Sequence, residues 1–150
     1  MFKKILAPLD GSELSEATLD YVAAIAGGCH VPEVILVRVR AFIDPLTIKS
    51  MPPKMVEQIE EASQKEAVDY LKKIAEELNR KKITTRTEVL LGNPAEEIIK
   101  YCRENSVDLI VMSTHGRSGV SRLVWGSVAD KVFRSSHIPV LIIPAPKSQV

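Results

Sequence analysis

Only two cysteines, Cys29 and Cys102, occur in the 150 residues, far apart and in no Cys-x-x-Cys pair. That scarcity argues against a disulfide framework or a cysteine zinc site and suits a reducing, cytoplasmic compartment. Neither sign of charge is in excess: 20 basic residues against 19 acidic ones leave a formal net charge of +1. Without a basic surplus, nucleic acid and anionic membrane are not expected as partners. No apolar run approaches the ~20 residues that span a bilayer. The opening MFKKILAPLDGS carries two lysines, but its apolar stretch at 5–9 is too short for a secretory leader and runs into Asp10. Repeats, linkers and low-complexity stretches are also missing. Residues 1–150 are therefore expected to form one soluble domain with its own core.

What the chain does have is an alternation of apolar runs and helical stripes. The run at 5–9 is followed by Leu14, Ala17, Thr18, Tyr21, Val22 and Ile25 at helical spacing. Ser12 can cap that helix, and Gly27-Gly28 can end it in a left-handed turn. A β-branched strand at 34–39 leads into a loop with prolines at 45, 52 and 53. A long helix is predicted over 54–80, with Val56, Ile59, Ala67, Leu71, Ile74 and Leu78 on one face. Strands are predicted at 84–91, 108–112 and 139–143. Asn93-Pro94-Ala95-Glu96 opens another helix, with Asn as cap and Pro in the first turn, and buries Ala95, Ile98, Ile99 and Cys102. The last helix is predicted over 127–135. Strands alternating with helices require crossovers, so the fold class is α/β, a parallel sheet covered on both faces.

Ligands of such sheets bind at the carboxyl ends of the strands. Three connections leave that edge: residues 8–12, the loop after Val39 and the segment after Met112. The third reads STHGRSGVSRLVWGS over 113–127. Gly116, Gly119 and Gly126 let backbone N–H groups approach a ligand, and Gly126-Ser127 opens a helix whose start favours an anion. Ser118, Ser121, Ser127, Arg117 and Arg122 can add donors or charge. The same composition also serves plain turns. No G-x-x-x-x-G-K-[ST] and no G-x-G-x-x-G occurs, which argues against a Walker site and a standard NAD or FAD site. Asp10 ends a strand where it either accepts from a ribose hydroxyl or adenine amino group, or caps a helix in competition with Ser12. His115 has no acidic metal ligands beside it and no G-x-S-x-G accompanies it, so no hydrolytic apparatus is expected.

The segments ILAPLDGSELSEATLDYV, GNPAEEI and STHGRSGVSRLVWGSVADKVFRSSHIPVLIIP resemble the universal stress protein family, over residues 2–144. The resemblance implies a five-stranded sheet in the order 3-2-1-4-5 and a homodimer through the last strand. The family's ATP-binding branch carries G-x2-G-x9-G-[ST]; here the positions are Ser113, Gly116 and Gly126-Ser127. By that resemblance Gly116, Gly126, Ser127 and the Val128 amide hold phosphates, with Ser113 near the ribose. Pro8, Asp10 and the Val39 backbone frame adenine and ribose, and Ser12 lies near the phosphates. ATP, with Mg²⁺ carried by the nucleotide, is the leading ligand; ADP, AMP and cyclic AMP share its adenosine end. The expected role is a nucleotide-binding stress sensor. The alternatives are a dimeric interaction module that binds no nucleotide and a slow ATP hydrolase using His115 or Asp10. Ser113 separates the first two. If the family's glycine has a positive φ there, serine is strained by ~1–2 kcal/mol.

Overall fold

A computed structural model describes residues 1–114 and 126–144. The chain begins with β1 (Lys4–Pro8), α1 (Glu13–Glu16), α2 (Leu19–Gly28), β2 (Glu33–Arg40), α3 (Pro45–Lys49) and α4 (Pro53–Arg80). It continues with β3 (Thr85–Leu91), α5 (Pro94–Glu104), β4 (Leu109–Ser113), α6 (Ser127–Ser135) and β5 (Val140–Ile143). The strands form one sheet in the order β3-β2-β1-β4-β5, every neighbouring pair parallel. This is the α/β class and the strand order expected above.

Period-two alternation divides the strand residues between two cores. Ile5, Ala7, Val34 and Leu36 face α2 and α4, where they meet Leu71, Ile74 and Leu78. Leu6, Ile35, Val37, Ile110 and Met112 face α5 and α6, with Ile98, Cys102 and Val132. Because both faces are covered, β1, β2 and β4 read as nearly unbroken apolar runs. Cys102 fills the second core, and burial pushes its thiol up to about 12, leaving it protonated and unreactive near neutral pH.

Four sequence expectations change in the structure. The stripe over 14–25 is two helices rather than one. Thr18 donates its hydroxyl (2.6 Å) and its N–H (3.2 Å) to the Ser15 carbonyl, and this three-residue turn closes α1. The buried face becomes Ser15, Thr18, Val22 and Ala26, while Ala17 and Tyr21 are exposed. The proline-bearing loop contains α3, started by Pro45 and capped by Asp44, which accepts from the Thr47 N–H at 3.1 Å. Along α4, burial begins only at Ala67, and Ile59 is 39% exposed. The first half of α4 is held instead by two β2 arginines. Arg38 pairs with Glu66 at 3.1 Å, and Arg40 reaches Glu60, Ser63 and Gln64.

Gly27-Gly28 does not make the left-handed turn; both lie inside α2, and His30 takes the positive φ (52°). The reason is a Schellman closure two residues beyond Gly28. The Val31 N–H donates to the Ala26 carbonyl (2.9 Å) and the His30 N–H to Gly27 (3.4 Å), while Val31 buries its side chain. The helix α4 ends the same way through Lys82 and Ile83, and α5 through Ser106 and Val107. In each case the apolar residue that must reach the core decides where the helix stops. His30→Gly is therefore expected to stabilise the fold by about 0.5–1 kcal/mol, since left-handed backbone strain exceeds the entropy cost of glycine. A urea midpoint that rises at constant m-value checks this.

Candidate functional site

In the order β3-β2-β1-β4-β5 successive strands are added outward from β1 first on one side and then on the other. The strand order therefore switches between β1 and β4, and the carboxyl ends of those strands part around a cavity. Its volume is about 300 Å³. Pro8, Leu9 and Asp10 come from the end of β1, and Val37 and Val39 from β2. Met112, Ser113 and Thr114 come from the end of β4, Pro94 and Ile98 from α5, and Gly126 to Ala129 from the start of α6; Ser15 of α1 completes the lining. The walls are largely apolar, with polar groups gathered at Asp10 and at the α6 start.

The Asp10 end is organised by local hydrogen bonds. Asp10 Oδ1 accepts from the Ser12 N–H (2.9 Å) and hydroxyl (2.5 Å), an Asx turn over Gly11, whose φ of 83° suits glycine. Ser12 in turn caps α1 by accepting from the Ser15 N–H at 3.1 Å. The competition between Asp10 and Ser12 for the cap is thus resolved. Serine caps the helix, and aspartate orients the serine. Ser12 is not part of the cavity wall, and its hydroxyl serves Asp10 and the cap.

The opposite end is the start of α6. Gly126 precedes it without any side-chain cap, and the helix's first internal bond runs from the Asp130 N–H to the Gly126 carbonyl (2.9 Å). Ser127, Val128 and Ala129 therefore have N–H groups with no partner inside the helix, at the positive end of its dipole. By contrast α5, which also reaches the cavity, is capped by Asn93, accepting from the Glu96 N–H. Gly126 uses its own N–H on the Thr114 carbonyl (2.7 Å), and the Thr114 N–H donates to Ile143 of β5 (3.0 Å). A Lys131–Glu96 pair at 2.7 Å ties α6 to α5 across the cavity wall.

Of the residues singled out in the sequence, Pro8, Asp10, Val39, Ser113, Gly126, Ser127 and Val128 line this one cavity. Gly116 lies outside the described residues, as do His115, Arg117, Ser118, Gly119, Ser121 and Arg122. Ser113 ends β4 opposite Ile143, and the non-glycine residues with positive φ among the described residues are His30, Lys82 and Ser106. Serine at the first pattern position is therefore unstrained. Val37, Pro94, Ile98 and Met112 were not anticipated as wall residues. Val37 was within reach, because it shares the face of Val39 two residues on. Pro94 and Ile98 carried no local signal, since only the packing of α5 over the sheet brings them to β1 and β4.

Among the described residues, no group of three or more His, Cys, Asp or Glu side chains gathers where it could hold a metal ion. No described helix is long and apolar enough to cross a membrane.

The family model described as "Universal stress protein family" matches residues 1–144. Universal stress protein MJ0531 of Methanocaldococcus jannaschii is 36% identical, over 99% of this chain and 86% of the relative. Universal stress protein YxiE of Bacillus subtilis is 33% identical, over 95% of this chain and 99% of its own. The solved structure of MJ0577, also from Methanocaldococcus jannaschii, superposes with a TM-score of 0.86 at 31% identity, covering 99% of both chains.

Proposed function

Because the chain belongs to the universal stress protein family, we propose that it binds an adenine nucleotide, ATP foremost, and works as a regulatory sensor rather than a fast enzyme. The observation that carries this reading is the cavity at the β1/β4 reversal, with an acceptor at one end and an uncapped helix start at the other. Adenine would lie between Val37, Val39, Ile98 and Met112, where a flat apolar ring loses little by leaving water. Asp10 would accept from ribose hydroxyls or the adenine amino group. Phosphates would meet the Ser127 and Val128 amides, with Gly116 a further contact by the family pattern. Mg²⁺ would arrive on the phosphates rather than in a protein cage.

Two proteins of this fold carry such ligands: a universal stress protein in complex with cAMP, and a family member from Arabidopsis thaliana with AMP bound. They are 19% and 12% identical to this chain, with TM-scores of 0.63 and 0.70, so their likeness speaks for the fold alone. Ser113 was the one residue favouring a module without nucleotide; its place at the end of β4, without a positive φ, supports the nucleotide reading.

The sensor role rests on Thr114, a cavity residue hydrogen-bonded to both Gly126 and β5. A ligand that reorders the Thr114–Gly126 closure would pull on β5, the sheet edge. Leu141 of β5 is 37% exposed there, and we place the homodimer contact along that strand.

The test is to denature protein purified without added nucleotide and identify what is released. About one adenine nucleotide per chain is the expected yield, from a preparation that sediments as a dimer. A preparation that releases nothing, and whose melting temperature millimolar ATP leaves unchanged, would overturn the reading. Phosphate release well above a no-protein blank would return the protein to the slow hydrolases.

A further inference from the structure

The short helix α1 carries the Asp10 turn on its N-terminal side, yet Ser15 is its one buried residue. A four-residue helix with no apolar side chain in the core gains little orientation from packing, and hydrogen bonds at its ends supply much of it. At its start, Ser12 and Ser15 hold the loop: Asp10 Oδ1 accepts from Ser12, and the Asp10 N–H donates to Ser15 Oγ at 3.3 Å. At its other end, Glu16 accepts a 2.8 Å hydrogen bond from the Tyr70 hydroxyl of α4. Tyr70 is itself fixed. Arg38, a residue only 7% exposed, holds its guanidinium 4.9 Å from the ring centroid and pairs with Glu66. Burial and the Glu16 carboxylate both raise the phenol above its usual range, so it stays a hydrogen-bond donor at any physiological pH.

We propose that Tyr70, braced by Arg38, is a positioning residue for the nucleotide site. It clamps Glu16, and through α1 it sets the orientation in which Asp10 faces the cavity. The inference rests on the nucleotide reading above, and it assigns the site an anchor on the opposite face of the sheet from Ile98 and Met112. It also gives the long helix α4 a connection to the site.

Two measurements test it. In nucleotide-free protein, the amides of residues 11–16 should exchange with deuterium faster in Tyr70→Phe, which keeps the ring over Arg38 but removes the donor. Glu16→Ala should behave alike, while Glu16→Gln, which keeps an acceptor, should stay near wild type. Wild-type exchange in Tyr70→Phe would overturn the clamp whether or not nucleotide binds. In the second measurement, Tyr70→Phe should weaken ATP about fivefold by calorimetry, the scale of one lost hydrogen bond. That loss should vanish when Asp10 is already alanine, because the two residues act in series. An unchanged affinity, or the same loss in the Asp10→Ala background, would overturn the positioning role. If wild-type protein binds no nucleotide, the functional reading and this role fall together, and the exchange result alone decides the clamp.

Discussion

Gly126→Val is expected to weaken ATP binding about 100-fold, a loss of ~2.7 kcal/mol, while the protein stays folded. The glycine has φ −58° and ψ 144°, an extended conformation that valine adopts without strain. Its backbone N–H, bonded to the Thr114 carbonyl at 2.7 Å, is untouched by the substitution. What changes is the cavity wall immediately before the α6 start, where a branched side chain would stand between an incoming phosphate and the Ser127 and Val128 amides. Calorimetric titration with ATP, beside a thermal melt of the free variant, separates the two effects. A wild-type affinity would show that phosphates bind elsewhere. A collapsed melt would show that Gly126 serves the fold instead. Gly126→Ala should give an intermediate loss, because a single methyl leaves part of the approach open.

The second large effect concerns stability and sets two residues of one helix against each other. Leu71→Ala is expected to destabilise the protein by about 3 kcal/mol, lowering its melting temperature by roughly 10 °C. Ile59→Ala on the same α4 should stay within about 0.5 kcal/mol. Both residues belong to the apolar stripe read from the sequence. Leu71 is 0% exposed and packs into the core between α4 and the sheet, whereas Ile59 is 39% exposed beyond the end of that core. Deleting Leu71 leaves a cavity that its neighbours cannot fill; deleting Ile59 removes surface already in water. Urea unfolding of the two variants checks the contrast, and equal losses would mean that the start of α4 is covered by something the chain itself does not supply.

That contrast shows how far sequence reasoning carries. Helix starts were legible where one side chain does the work. Asn93 and Ser12 cap the helices they precede, because an oxygen three residues ahead of an unpaired N–H needs no distant partner. Helix ends were less so. The glycines suggested a stop at Gly27-Gly28, yet α2 ends where Val31 can reach the core, and His30 accepts the strain. The division of 14–25 into α1 and α2 likewise depended on a Thr18 hydroxyl bond to Ser15, whose strength comes from burial. Of the site, Asp10 was accessible from its place at a strand end, and Ser113 and the residues from Gly126 to Val128 through the family resemblance. Pro94 and Ile98 were not, since their approach depends on how α5 crosses the sheet.

By itself, then, the sequence determined the α/β class, the parallel strands and the stretches from which a site would be built. These follow from periodicity, β-branched runs and chain order, which act over a few residues or through crossover length. Tertiary structure alone decided which part of each stripe is buried, that Ser113 sits unstrained at the end of a strand, and that α1 is held from α4. Each of these depends on groups distant in the chain meeting in a dry interior, where one apolar contact or hydrogen bond outweighs a local preference.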